Sequence, residues 1–307
     1  MRIAVVGAGG IGCIYGASLA NAGVDVIFVA RGAHLAAMQA NGLKIEGDRG
    51  EIVVSRVNAT DDPADIGVVD YVILCVKLWD VEAAGEAIRP IVGPQTAVIP
   101  QQNGVDAHER LIPILGRKAV MGGTAWVTGS IIAPGVVRQT GTYQRLIFGE
   151  LDGSMSRRGQ ALSDACAAAG FEGDFSANVL LPVWEKFLAI VPLSSVNSLT
   201  RVPLGVYRED PELWGLCEAS LRETAAVGLA EGIALPPDAV DKVIVQFRSM
   251  PPHGMTSMCN DLLRGNRLEL PWFAGKVVEL GRRHGIPTPV CNLLYAALKP
   301  HMNGKPN

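Results

Sequence analysis

Apolar positions along the chain change their period near its middle. In the first half they fall in short, nearly continuous runs, separated by polar or glycine-rich punctuation. Residues 3–6, 24–30, 70–76 and 96–100 read as strands of a buried parallel sheet, because such strands are covered on both faces. Between them, 13–20, 33–40 and 81–88 read as helices, 43–46 with 51–55 as a short β pair, and 61–67 as a polar loop. Further strands are predicted over 119–128, 135–139 and 145–149, with turn residues between 128 and 135. An Ala-rich helix over 155–169 and an extended piece over 171–176 close this half. From residue 177 the apolar positions take helical spacing, and proline breaks replace strands. A long buried helix is predicted over 179–199, with Pro182 in its first turn and Pro192 as a kink. Helices over 211–231, 239–249, from Thr256, over 272–285 and ending near Leu298 follow. The fold class is therefore α/β: an N-terminal doubly wound sheet over 1–176 and an all-helical C-terminal domain over 177–307.

Composition supports this and removes some functions. A chain of 307 residues fits two domains, and 49% hydrophobic residues against 19% charged supply a sizeable core. A net charge of −3 with no basic run argues against a nucleic-acid surface. No apolar run approaches the ~18 residues that a membrane span needs, and the glycines of the N-terminal run suit a turn rather than a signal peptide. The six cysteines are scattered without Cys-x-x-Cys, and the five histidines lack ligand spacing. Reduced thiols in the cytoplasm and no metal site are the expectation.

The chemistry starts at Gly7-Ala-Gly9-Gly10-Ile11-Gly12, directly after the first strand and opening the first helix. Gly7 permits the turn, Gly9 lets backbone approach a pyrophosphate, and Gly12 lets helix and strand pack closely. The helix N-terminus adds N–H donors and positive potential. A plain glycine turn would share the motif; the strand before and the helix after favour a dinucleotide site, hence a Rossmann domain. The second strand ends in Ala30-Arg31-Gly32, without the acidic residue that holds an adenosine ribose. An Arg there pairs with a 2′-phosphate, which favours NADP(H). His34, one helical turn on, is either a helper or an exposed helix residue. Two later strands end in Lys77 and in Gln101-Gln-Asn103-Gly104, at the sheet edge where ligands sit. Asn103 suits a nicotinamide ribose or a substrate oxygen, and equally an Asn-Gly turn. On the long helix Lys186, Ile190, Ser194 and Asn197 share a face, which marks either a polar pocket or a snorkelling lysine.

These residues, with Trp184-Glu-Lys186, Ser257-Met258, Asp261 and Glu269, resemble the ketopantoate reductase family of NADPH-dependent 2-dehydropantoate 2-reductases over essentially the whole length. The resemblance implies a Rossmann domain joined to a helical one, with the active site in the cleft. It implies Lys186 as the general acid that protonates the carbonyl oxygen while hydride arrives at C2. Glu269 would be the carboxylate that binds substrate near that lysine. Asn103 and Ser257 would hold cofactor and substrate, and Arg31 and Lys77 cofactor, alongside Gly7, Gly9, Gly10, Ile11 and Gly12. Three positions depart from the family: Ile190, Ser194 and Leu204 stand where its pantoate enzymes carry asparagine. An apolar side chain cannot replace an amide bonded to a substrate hydroxyl. Asn197, on the same face, is a candidate replacement, and Ser194 remains a candidate substrate contact.

The reading is thus reduction of a 2-oxo acid by NADPH, with ketopantoate, a pantothenate precursor, as the named candidate. The alternatives are a reductase of a different, less polar 2-oxo acid and an NADP(H)-binding regulator without turnover. Lys186 with Glu269 argues against the regulator, which needs no proton donor. The partner is a small molecule rather than nucleic acid or membrane. Oligomeric state stays open, a homodimer being compatible with the sequence.

Overall fold

The computed structural model describes residues 1–306. The chain divides into two compact units, Met1–Pro182 and Val183 onward.

In the first unit, β1 (Arg2–Val6), α1 (Gly10–Asn21), β2 (Asp25–Val29), α2 (Gly32–Asn41), β3 (Leu43–Gly47), β4 (Ile52–Val54) and β5 (Asn58–Thr60) come first. Then come β6 (Val69–Leu74), α3 (Val81–Ala87), β7 (Val92–Pro100) and α4 (Ala107–Leu115). Five of these strands form a parallel sheet in the order β5-β2-β1-β6-β7. A second, mixed sheet follows, built from β8 (Gly122–Ala133), β9 (Val136–Gly149) and β10 (Glu172–Phe175) together with β3 and β4; α5 (Arg157–Ala168) packs on β10.

The parallel strands alternate their side chains between two cores. Ala4, Val6, Val72, Leu74 and Val98 pack with Val81 of α3 and Leu111 of α4. Ile3, Val5, Tyr71 and Ile73 face the other way, joining Ile14 of α1 with Ile45, Val137 and Phe148 of the second sheet. Helix α1 is enclosed between the two sheets, so every residue from Gly12 to Leu19 is buried. That explains its lack of a polar face: a helix covered all round can be apolar all round.

The structure differs from the pattern reading at definite places. The segment after residue 128 is strand, not turn, because β8 runs to Ala133 and only Pro134 and Gly135 separate it from β9. Gly129 lies inside the strand, where a side chain would collide with Ile14 of α1. A strand glycine at a close approach resembles turn punctuation in sequence. Two elements add to the predicted set: α4, which contains Pro113, and β5, only three residues long, paired with β2.

The helical unit comprises α6 (Leu180–Thr200), α7 (Leu204–Glu209), α8 (Pro211–Ala230), α9 (Ala239–Ser249), α10 (Ser257–Arg264), α11 (Ala274–His284) and α12 (Pro289–Leu298). Helix α8 packs against α7, α9, α11 and α12. Gly228 of α8 lies against the Trp184 ring of α6, where an added Cβ would come within 3.0 Å of the indole. Helix α7 is a further element outside the predicted set, in the stretch between the helices predicted over 179–199 and 211–231. Among the described residues no helix is long and apolar enough to cross a membrane.

Candidate active site

In the first unit, the C-terminal ends of the parallel strands gather most of the predicted nucleotide residues on one edge. The Gly7 turn is bonded to β2, with the N–H groups of Gly7 and Ala8 donating to the Val29 carbonyl at 3.2 and 3.0 Å. Arg31, two residues beyond Val29, is therefore beside the glycine turn; it is exposed and is the N-cap residue of α2. On the other side Cys75 N donates to the Val6 carbonyl at 2.7 Å, so Lys77 follows on the same edge. The Lys77 ammonium lies 5.6 Å from the centroid of the Trp79 ring. Asn103, half-buried, lies in the loop after β7.

Gln102 organises this edge, a role the residue pattern did not single out. Its Nε2 donates to the carbonyls of Leu74 and Val76 at 2.9 and 3.0 Å, tying the segment of Asn103 to that of Lys77. A long amide directly after a strand end is the only sequence signal of it.

The glycines have distinct reasons. Gly7 has φ +88° and its Cβ would meet Val76 N at 2.7 Å, so conformation and space both demand glycine. Gly12 would place a Cβ 2.5 Å from the Gly7 carbonyl oxygen, and Gly10 would collide with the Gly129 backbone. Gly9 is different: nothing of the protein lies within 4 Å of a Cβ there. Its openness suits the close approach of a ligand backbone to the start of α1. That helix start carries no acidic residue in its first turn and no side-chain cap. Ile11 is half-buried on the same turn. The residues present thus fit a dinucleotide pyrophosphate.

His34 is half-buried rather than an exposed helix residue. Its Nδ1 accepts from Gly135 N at 3.1 Å, and Nε2 lies 3.4 Å from Cys13 Sγ. It ties α2 to the β8–β9 turn, and burial holds its pKa below the usual histidine value.

In the helical unit, Lys186 of α6 is half-buried and Glu269, just before the turn into α11, is 7% exposed. Burial drives the Lys186 ammonium down to about 8, while the Glu269 charge pulls in the opposite direction. Lysine and carboxylate are thus brought within electrostatic reach across a long stretch of sequence. Ser257, exposed, is the first residue of α10. Asp261 accepts from Asn266 Nδ2 at 3.1 Å within the same helix end.

The polar stripe on α6 divides. Ser194 is fully buried and its hydroxyl has no hydrogen-bond partner among the described residues. Asn197, the candidate substrate amide of the sequence, lies on the same helix. It is 1% exposed, and both amide atoms are engaged inside the unit, with Val202, Met255 and Thr256. Ile190 is half-buried and Leu204 is 1% exposed. Among the described residues no group of three or more His, Cys, Asp or Glu could hold a metal.

A glycine-turn parallel sheet and a helical unit with a lysine beside a buried carboxylate together define a class, the nicotinamide-dependent oxidoreductases. Within that class the family model described as Ketopantoate reductase PanE/ApbA matches residues 3–153, and its C-terminal counterpart matches 178–302. The chain belongs to the ketopantoate reductase PanE/ApbA family, and it is an oxidoreductase acting on CH–OH. It is 30% identical to a 2-dehydropantoate 2-reductase of Mesorhizobium japonicum, with 97% of each chain covered. It superposes on a PanE/ApbA family ketopantoate reductase from Ralstonia eutropha JMP134 with a TM-score of 0.91 at 31% identity, covering 98% of each chain. A 2-dehydropantoate 2-reductase from Geobacter metallireducens gives 0.91 at 28% identity, covering 97% of this chain and 99% of that one. It is a 2-oxo acid reductase of this family, and the family uses a nicotinamide cofactor.

Proposed function

We propose that this chain uses NADPH to reduce a 2-oxo acid to the 2-hydroxy acid, with ketopantoate as the first candidate. The observation that carries the reading is the Lys186 ammonium, lowered to about 8 by burial and opposed by Glu269. A general acid works best with a pKa near the operating pH. A reduced nicotinamide held at the glycine turn would supply the hydride. Lys186 gives its proton to the carbonyl oxygen as negative charge builds there, and its charge stabilises that oxygen beforehand. Glu269 keeps the lysine protonated near neutral pH and helps orient the substrate. The Ser257 hydroxyl and the first N–H groups of α10 receive the substrate carboxylate, since that helix start has no acidic residue to repel it.

For the dinucleotide, Gly7, Gly9, Gly10, Ile11 and Gly12 form the pyrophosphate turn. Lys77 and Asn103 hold the cofactor from the neighbouring strand ends, and Asn103 also meets substrate. Arg31 pairs with the 2′-phosphate. The only acid on β2 is Asp25, at the opposite end of the strand, so no carboxylate from that strand opposes a phosphate beside Arg31. Six free cysteines fit a reducing cytoplasm.

A specific observation favours a second reading within the same chemistry. Leu204 is buried and Ile190 half-buried, at positions where the resemblance drawn from the sequence implies asparagine. A pocket lacking those amides, with the Ser194 hydroxyl still unpartnered, suits a less polar 2-oxo acid. A panel of 2-oxo acids, followed by loss of NADPH absorbance, decides. Ketopantoate turned over best by a wide margin removes the second reading; a branched or aromatic acid turned over best removes the first. No turnover of any acid, with NADPH still bound, would leave a non-catalytic NADP(H)-binding protein.

A further inference from the structure

Asn197 is engaged on every side. Its Oδ1 accepts from the Thr256 N–H at 2.8 Å and from the Thr256 hydroxyl at 3.0 Å. Its Nδ2 donates to the Val202 carbonyl at 2.6 Å and meets Met255 Sδ at 3.4 Å. Two acceptor sites and two amide hydrogens are thereby used, which is the whole capacity of an asparagine amide. Its backbone carbonyl accepts from Arg201 N at 2.9 Å and from Cys259 Sγ at 3.3 Å.

The partners give this network its meaning. Thr256 is the N-cap of α10, and its hydroxyl accepts from Cys259 N at 3.3 Å. Because that hydroxyl donates to Asn197, its lone pair is turned toward the helix. Ser257 is the next residue. On the other side, the bond to Val202 holds the chain just after Arg201, which alone among the described non-glycine residues has a positive φ, +58°. Such a backbone persists where surroundings over-determine it. One side chain of the Lys186 helix therefore fixes both the turn leaving that helix and the first turn of α10.

We infer that Asn197 is a positioning residue: acting through Thr256, it sets the place of the Ser257 hydroxyl on the same framework that carries Lys186. The inference rests on the reading above, in which Ser257 meets the substrate carboxylate.

The test is a cycle on the full-length enzyme, read as KM and kcat for the best acid of the panel, the Kd for NADPH, and Tm. Asn197→Ala is expected to raise KM about tenfold or more while NADPH Kd stays within about twofold. A polar network contact of this kind supports such an effect. In a Ser257→Ala background the same change is expected to raise KM less than about twofold, because its target is gone. Thr256→Val is expected to reproduce the KM rise and Thr256→Ser to restore it. A control that loosens the unit elsewhere, Leu221→Ala in α8, is expected to lower Tm without the KM rise. Equal KM effects of Asn197→Ala with and without Ser257 overturn the inference, as does an unchanged KM in a folded Asn197→Ala. Should Asn197→Ala not fold, an unchanged KM in Thr256→Val overturns it instead. If Ser257→Ala itself leaves KM unchanged, the carboxylate role of Ser257 fails and the inference falls with it; a Ser257 effect without an Asn197 effect defeats the inference alone.

Discussion

Lys186 and Glu269 form an opposed pair: burial lowers the ammonium from 10.5 to about 8, and the carboxylate limits that fall. The lysine loses its proton as pH rises through about 8, so the rate of 2-oxo acid reduction is expected to decline through that range. The reverse reaction, which needs the free amine, is expected to rise there. Glu269→Gln removes the charge that favours the ammonium and should move the alkaline limb of kcat to lower pH. A limb that stays in place, measured from pH 6 to about 10 as for any lysine acid, would show that Glu269 does not act on Lys186.

Replacing the lysine separates chemistry from binding. Lys186→Met keeps volume and loses the proton donor, so kcat should fall by about 10²–10⁴-fold. NADPH binding, titrated by fluorescence, should persist. Stability has its own sign. Between about 8 and 10.5 the unfolded chain holds a proton at Lys186 that the folded chain has released. This group therefore opposes folding below about pH 8, and the penalty fades as pH rises toward 10.5. Lys186→Met is expected to match or exceed the parent in Tm at neutral pH, with the advantage shrinking at high pH. Full activity in that variant would sink the proposed mechanism.

Arg31 addresses cofactor choice. On the proposed reading, its exposed guanidinium would pair with the 2′-phosphate of NADPH, whereas NADH offers only an uncharged 2′-hydroxyl there. Arg31→Ala should raise KM for NADPH by roughly 10–100-fold, the scale of a charge-assisted hydrogen bond. KM for NADH should barely change. Parallel changes for both cofactors would refute a 2′-phosphate contact.

These expectations differ in how far the sequence alone could carry them. The strand–turn–helix at Gly7 is legible because its determinants are adjacent in the chain. The positions of Arg31 and Lys77 follow from parallel register, which the buried apolar strands already suggest. The hairpin of β8 and β9 was less legible, since Gly129 inside a strand and Gly135 in a turn look alike until α1 is placed against one of them. Asn197 shows the harder limit. On α6 alone it reads as one more polar group on the Lys186 face, and its partner Thr256 is 59 residues away. Glu269 lies farther still along the chain from Lys186, and only the family resemblance joins them in sequence.

The glycine turn offers the sharpest separation of packing from ligand binding. Gly9 and Gly10 are adjacent, yet a methyl on each meets different surroundings. At Gly9 the backbone has φ −83°, which alanine adopts, and a Cβ has no neighbour within 4 Å. Gly9→Ala should therefore fold with an unchanged Tm. On the proposed reading its methyl would stand where the pyrophosphate meets the start of α1, so NADPH affinity should fall by about tenfold or more, the loss of one charge-assisted backbone contact. At Gly10 the methyl would be driven into the Gly129 backbone of β8, and neither backbone is free to yield. Gly10→Ala should cost about 1–3 kcal/mol by overpacking, a drop of roughly 2–10 °C in Tm. Calorimetry and NADPH titration on the two variants distinguish the cases. If Gly9→Ala binds NADPH like the parent, the open face at Gly9 is not where the dinucleotide approaches.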